Sequence, residues 1–69
     1  MDWILVESSN LGRVRYHADT MTLDIEFKNG TIYQYFDVPE TIYNELLIAE
    51  SKGKFFHQQI KGFYRYAKV

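Results

Sequence analysis

Two short runs near the end of the chain set aromatic rings beside cations: Lys54-Phe55-Phe56-His57 and Tyr64-Arg65-Tyr66. Rings stack on nucleobases and Lys or Arg meets phosphate, so this interleaving is the side-chain chemistry of single-stranded nucleic-acid binding. With the neighbouring lysines, the candidate binding residues are Lys52, Lys54, Phe55, His57, Lys61, Tyr64, Arg65 and Tyr66. A Tyr33-x-Tyr35 pair adds two rings upstream.

Other residue types give weaker chemistry. Asp24 and Glu26 are two apart, which on a strand places them on one face about 6.5–7 Å apart. Paired carboxylates can do acid–base work, but the alternation around them accounts for both as a solvated face. His17 and His57 stand 40 positions apart in a chain without cysteine, and neither has metal-ligand spacing. Ser8, Ser9 and Ser51 lie outside any Gly-x-Ser-x-Gly elbow, and Gly53 and Gly62 belong to no phosphate-cradling pattern. No catalytic residue, metal or cofactor is assigned.

The charge layout supports an anionic partner. The net charge of −1 conceals a split: residues 1–50 carry nine acids and three bases, and residues 51–69 carry five bases and no acid. Such asymmetry marks either a site for an anion or a basic tail folded back on an acidic body.

These residues need a scaffold, and 69 residues make one domain at most, residues 1–69. Hydrophobic residues at 46% and aromatics at 17% are enough to order a chain this short. Without cysteine it has neither disulfides nor Cys-ligated zinc, which suits the cytoplasm. Met1-Asp2-Trp3 has no basic start and Ile4-Leu5-Val6 is a very short apolar run, so neither a signal peptide nor a membrane span is expected.

Met21, Leu23, Ile25 and Phe27 alternate with polar residues over 20–28, the period of a half-buried strand. Asn29-Gly30 then signals a hairpin into a partner strand over 31–37. Two registers are open. A two-residue turn pairs Phe27 with Ile32 and puts Tyr33 and Tyr35 on the polar face. A turn with a bulge at Gly30 pairs Ile25 with Tyr33 and Leu23 with Tyr35, and puts the tyrosines on the apolar face. Lys28-Asn29-Gly30 suits the bulged form, because Gly takes the left-handed position. Residues 13–18 read as a further strand and 3–8 as a weaker one. Pro39 and Glu40 open a helix with an apolar stripe of Ile42, Tyr43, Leu46, Leu47 and Ala49, with Lys52 in its last turn and Gly53 as its cap. Of these, Ile42 and Leu46 are expected to meet the sheet. A second short helix is expected over 54–61 and an edge strand over 63–67. The fold class is therefore α+β: an antiparallel sheet of three to five strands with a main helix and a short second helix packed on one face.

The ordered set Phe27-x-x-Gly30-x-x-Tyr33-x-Tyr35-x-x-Val38-Pro39, Ala49-x-Ser51-x-Gly53-x-x-Phe56, Ile60 and Tyr64 resembles the KTSC domain. That family is named for its occurrence at the C-terminus of some lysyl-tRNA synthetases, and it also occurs as small stand-alone bacterial and phage proteins. The resemblance runs from about Ser8 to Tyr66. It departs at His57, where the family often has Asn. It implies a small module near RNA chemistry and carries over no catalytic residue. The expected function is a non-enzymatic module binding single-stranded RNA or a nucleotide. The alternative is a protein-interaction module, self-association included.

Overall fold

The computed structural model describes residues 2–69, so Met1, part of the start read as lacking a leader, lies outside the described residues. Five strands and two helices follow in order: β1 (Ile4–Leu5), β2 (Leu11–His17), β3 (Thr22–Phe27), β4 (Ile32–Tyr35), α1 (Glu40–Ile48), α2 (Lys52–Gln59) and β5 (Tyr66–Lys68). The strands form one antiparallel sheet in the order β1-β2-β3-β4-β5, so every strand lies beside its neighbour in sequence. Among the described residues no helix is long and apolar enough to cross a membrane.

The β3–β4 hairpin adopts the bulged register. Leu23 faces Tyr35 and Ile25 faces Tyr33. Phe27 N–H donates to Thr31 O at 2.8 Å, and Gly30, at φ 92°, donates back to Phe27 O at 2.9 Å. A Cβ built on Gly30 meets nothing within 4 Å. Gly30→Ala should therefore cost about 1 kcal/mol through backbone strain alone. In a domain of this size that lowers Tm by roughly 4–8 °C. An unchanged melting curve would mean the turn has some other form.

Alternation carries this register across the sheet. One row on the inner face reads Tyr16, Leu23, Tyr35, Tyr66, and the next reads Ile4, Val14, Ile25, Tyr33, Lys68. Leu11, Val14, Tyr16, Leu23, Ile25 and Tyr35 meet Val38, Tyr43, Leu46, Phe56 and Ile60 in a single buried core. Tyr16 stacks on Tyr43, with ring centroids 5.0 Å apart, and its hydroxyl donates to Val38 O at 2.6 Å. It is thus Tyr43 with Leu46, rather than Ile42 with Leu46, that α1 buries, and Ile42 stays at the core's margin.

Four further expectations need correcting. Met21 does not join the strand alternation: it sits in the left-handed region at φ 53°, 40% exposed, and β3 begins at Thr22. Lys52 and Gly53 do not close α1. The chain turns extended at Ala49, Ser51 caps α2 by accepting from Lys54 N–H, and Lys52 and Gly53 are the first residues of α2. Gly53 sits close to the β1–β2 connection there, and a Cβ at this position would lie 3.0 Å from Asn10 Oδ1. The edge strand begins later than position 63, at Tyr66.

The fourth concerns Asp24, which is not solvated but 1% exposed. Its Oδ2 accepts from Arg15 Nε at 3.1 Å and Arg15 Nη2 at 2.9 Å and lies 2.8 Å from His17 Nε2. Arg13 pairs with Glu26 beside it. The Trp3 ring roofs both guanidinium groups, at 4.5 Å from that of Arg13 and 4.2 Å from that of Arg15. Alternation assigned Asp24 to the outer face correctly. The long arginine stems and the indole then cover that face, as amphipathic side chains do.

Candidate nucleobase-binding groove

The inner-face tyrosines continue past the core to the sheet edge. Tyr35, 3% exposed, is the floor. Tyr33 is half-buried, and Tyr66 on β5 is 61% exposed. Tyr33 and Tyr66 lie parallel, 5.7 Å between centroids and 5° between planes, and Tyr35 lies 6.4 Å from Tyr33 and 5.7 Å from Tyr66. Phe27 and Phe56 meet these rings edge-on and hold them upright. Beside the rings a groove of ≈ 290 Å³ opens between the hairpin tip and α2. Asn10, Asn29, Thr31, His57 and Lys61 form its polar rim.

The candidate residues divide accordingly. His57, Lys61, Tyr33 and Tyr35 line the groove, and Tyr66 joins through the ring stack. Lys54 lies in an adjoining opening that shares Asn10 and His57 with the groove. Lys52 is turned back, its Nζ donating to Ala49 O at 3.0 Å. Phe55 and Tyr64 are half-buried against the core. Arg65 is apart from the groove: it precedes Tyr66 on the strand, so its side chain takes the opposite face, over Phe36 and 3.0 Å from Asp37. Among the described residues that is the one ion pair joining the basic segment to the acidic body, and at 76% and 73% exposure it adds little stability.

Sequence reading missed Lys68, Asn10, Asn29 and Phe27. Lys68 faces Tyr33 across the β4–β5 ladder and so shares the face of the stack. Its spacing from Tyr66 was the available signal. Asn10 arrives from the β1–β2 connection and has no sequence neighbour in the site.

Burial pushes the Tyr35 hydroxyl up to about 12, with the neighbouring Tyr33 and Tyr66 adding to the shift. Burial also raises Tyr16, with help from Glu40, and Tyr43. Tyr35 is held protonated by the fold and ionises near 10.0 once unfolded, so its contribution is complete below pH 10 and is lost as pH rises towards 12; Tyr16 and Tyr43 act in the same direction. Tyrosinate absorbance and circular dichroism followed together should show these phenols ionising only as the fold is lost. A single tyrosinate step complete near pH 10 with the fold intact would contradict their burial.

The KTSC domain family model matches residues 7–69 of this chain. A lysine–tRNA ligase of Trichormus variabilis is 44% identical over 63 residues, and that of a Nostoc species is 46% identical over the same length. These matches take in 91% of this chain, which spans 11% of the length of those ligases. The crystal structure of a KTSC domain protein from Yersinia pestis superposes with a TM-score of 0.93 at 36% identity, covering 99% of this chain and 96% of that one. Profile, relatives and architecture agree, and the chain belongs to the KTSC domain family.

Proposed function

We propose that this domain is a binding module for single-stranded RNA or a nucleotide, with the base laid against the Tyr33–Tyr66 stack and phosphate held by Lys61 and Lys68. The observation that carries the reading is the parallel tyrosine pair, whose outer ring is 61% exposed. An exposed ring stacked on a half-buried one beside cations is a stacking platform, and base–aromatic stacking contributes about 1–3 kcal/mol per base. The similarity to segments of lysine–tRNA ligases supports the reading.

The test is fluorescence titration of labelled single-stranded RNA at several salt concentrations. Two phosphate contacts give a log–log salt slope of about −1.4, at 0.7 per contact for single strands. Lys61→Ala should weaken binding and flatten the slope by about 0.7. Arg65→Ala, on the opposite face, should leave both unchanged. Equal losses from the two substitutions would displace the site from the groove.

A second reading rests on the free edge of β5. Phe36 N–H donates to Arg65 O and Val69 N–H to Ile32 O, so residues 65 and 69 turn their backbone to β4 while Tyr66 and Lys68 turn theirs outward. Such an edge can pair with a second copy of the chain. Sedimentation showing a dimer, together with no RNA binding at low salt, would favour this reading.

A further inference from the structure

We infer that the ligand is a single RNA strand of at least three nucleotides rather than a free nucleotide, an inference that rests on the groove being a base-binding site. The groove is one lobe of a larger depression around Asn10. Two further openings, each ≈ 420 Å³, adjoin it. One lies at the hairpin tip, shares Asn10, Phe27 and Asn29 with the groove, and adds Lys28. The other lies at the start of α2, shares Asn10 and His57 with the groove, and adds Lys54. Ser9 and Asn10 are common to the two outer openings, so the three lobes are continuous.

The depression carries one sign of charge. Lys28, Lys54, Lys61 and His57 line it, and no Asp or Glu does, although the chain has nine acids. The ion pairs account for part of this segregation. All three arginines are committed to carboxylates outside the depression: Arg13 to Glu26, Arg15 to Asp24 and Arg65 to Asp37. Among the described residues Lys28, Lys54 and Lys61 form no ion pair, and each is exposed. A concave surface lined by one sign of charge focuses its field and concentrates the opposite charge there.

A free nucleotide leaves most of this layout unused. Neither Lys28 nor Lys54 lines the stacking groove, which at ≈ 290 Å³ is at the lower bound of small-molecule pockets. A base on the Tyr33–Tyr66 stack with its own phosphate at Lys61 meets neither outer lysine. A strand carries a phosphate on each side of every internal sugar. The nucleotides flanking the seated one therefore bring phosphates into both outer openings, to Lys28 and to Lys54. An acidic polypeptide matches the charge but supplies no base for the tyrosine stack.

Titration of a labelled uridine tetranucleotide, with uridine monophosphate and polyglutamate as competitors, tests this. At low salt the tetranucleotide should bind at least about tenfold tighter than the monophosphate. Its log–log salt slope should steepen from the −1.4 of the two groove contacts to about −2.8, at 0.7 for each added phosphate contact. Lys28→Ala and Lys54→Ala should each flatten that slope by about 0.7 and leave the affinity for uridine monophosphate unchanged. Both side chains are exposed, so neither change touches the core. Equal affinity for monophosphate and tetranucleotide would overturn the strand and leave the stacking site standing. So would outer-lysine variants that weaken both ligands alike, since those lysines would then serve the seated nucleotide. Polyglutamate competing as well as unlabelled tetranucleotide would show selection by charge alone and overturn the assignment to RNA. Binding of neither nucleotide ligand, with the protein shown to be folded, would remove the base-binding site and the strand together.

Discussion

Tyr35→Ser should destabilise the domain by about 3–5 kcal/mol, the loss typical of a large aromatic removed from a core. The ring is 3% exposed and meets Phe56, Tyr33 and Tyr66 within 5.5–6.4 Å between centroids. Its removal opens a cavity at the one place where sheet, second helix and edge strand converge. A domain of this size has a total stability near the low end of the usual range, about 5 kcal/mol, so the variant should be close to unfolded at room temperature. Tyr33→Ser is expected to behave differently. That ring is half-buried and lines the groove, so its loss should cost about 1–2 kcal/mol while abolishing the stacking contribution to RNA affinity. Urea denaturation separates the two. Equal stability losses would mean that Tyr33 is core and that the groove is shallower than described.

Leu46→Ala is the other large effect, at about 2–5 kcal/mol. Leu46 is 0% exposed and belongs to the single core cluster, and with Tyr43 it is what α1 buries. Glu45, its exposed neighbour on the same helix, is the control, and Glu45→Ala should change stability by less than about 0.5 kcal/mol. The pair isolates burial from helix propensity, since alanine is a good helix former at both positions. A comparable loss at Glu45 would show that α1 is held by its polar face.

How far these sites could be read in advance depended on the range of the interaction involved. The hairpin register was legible because its cause is local: Gly30 supplies the left-handed residue and the bulge decides which face Tyr33 and Tyr35 take. The α1–α2 junction was misread because two local signals compete there. Gly53 has the composition of a cap and Ser51 that of a helix start, and the placement of Gly53 beside Asn10 comes from across the fold. The same limit applies to Asp24. Period-two alternation states which face a residue takes, but not what covers that face, and Trp3 lies 21 positions away. Of the stacked rings, Tyr66 was legible in an aromatic–basic run and Tyr33 and Tyr35 as a Tyr-x-Tyr pair. The polar rim was not, because Asn10 and Asn29 come from different turns. Arg65 was misplaced for the reason that located Tyr66: neighbours on a strand point to opposite sides.

The strand order also sets the order of assembly. The hairpins from β1 to β4 close between sequence neighbours through short turns, whereas β4 and β5 are separated by both helices, and their ladder joins Tyr35 to Tyr66 across thirty intervening residues. Short loops close quickly and cheaply; the long one must wait for the helices to dock. The last strand to arrive is also a short one, with all three residues exposed, so it should, like the two-residue β1, open more readily than the central strands. Because that strand carries Tyr66, the outer ring of the stack exists only when folding is complete, and a base bound there would act as a clasp on the final step.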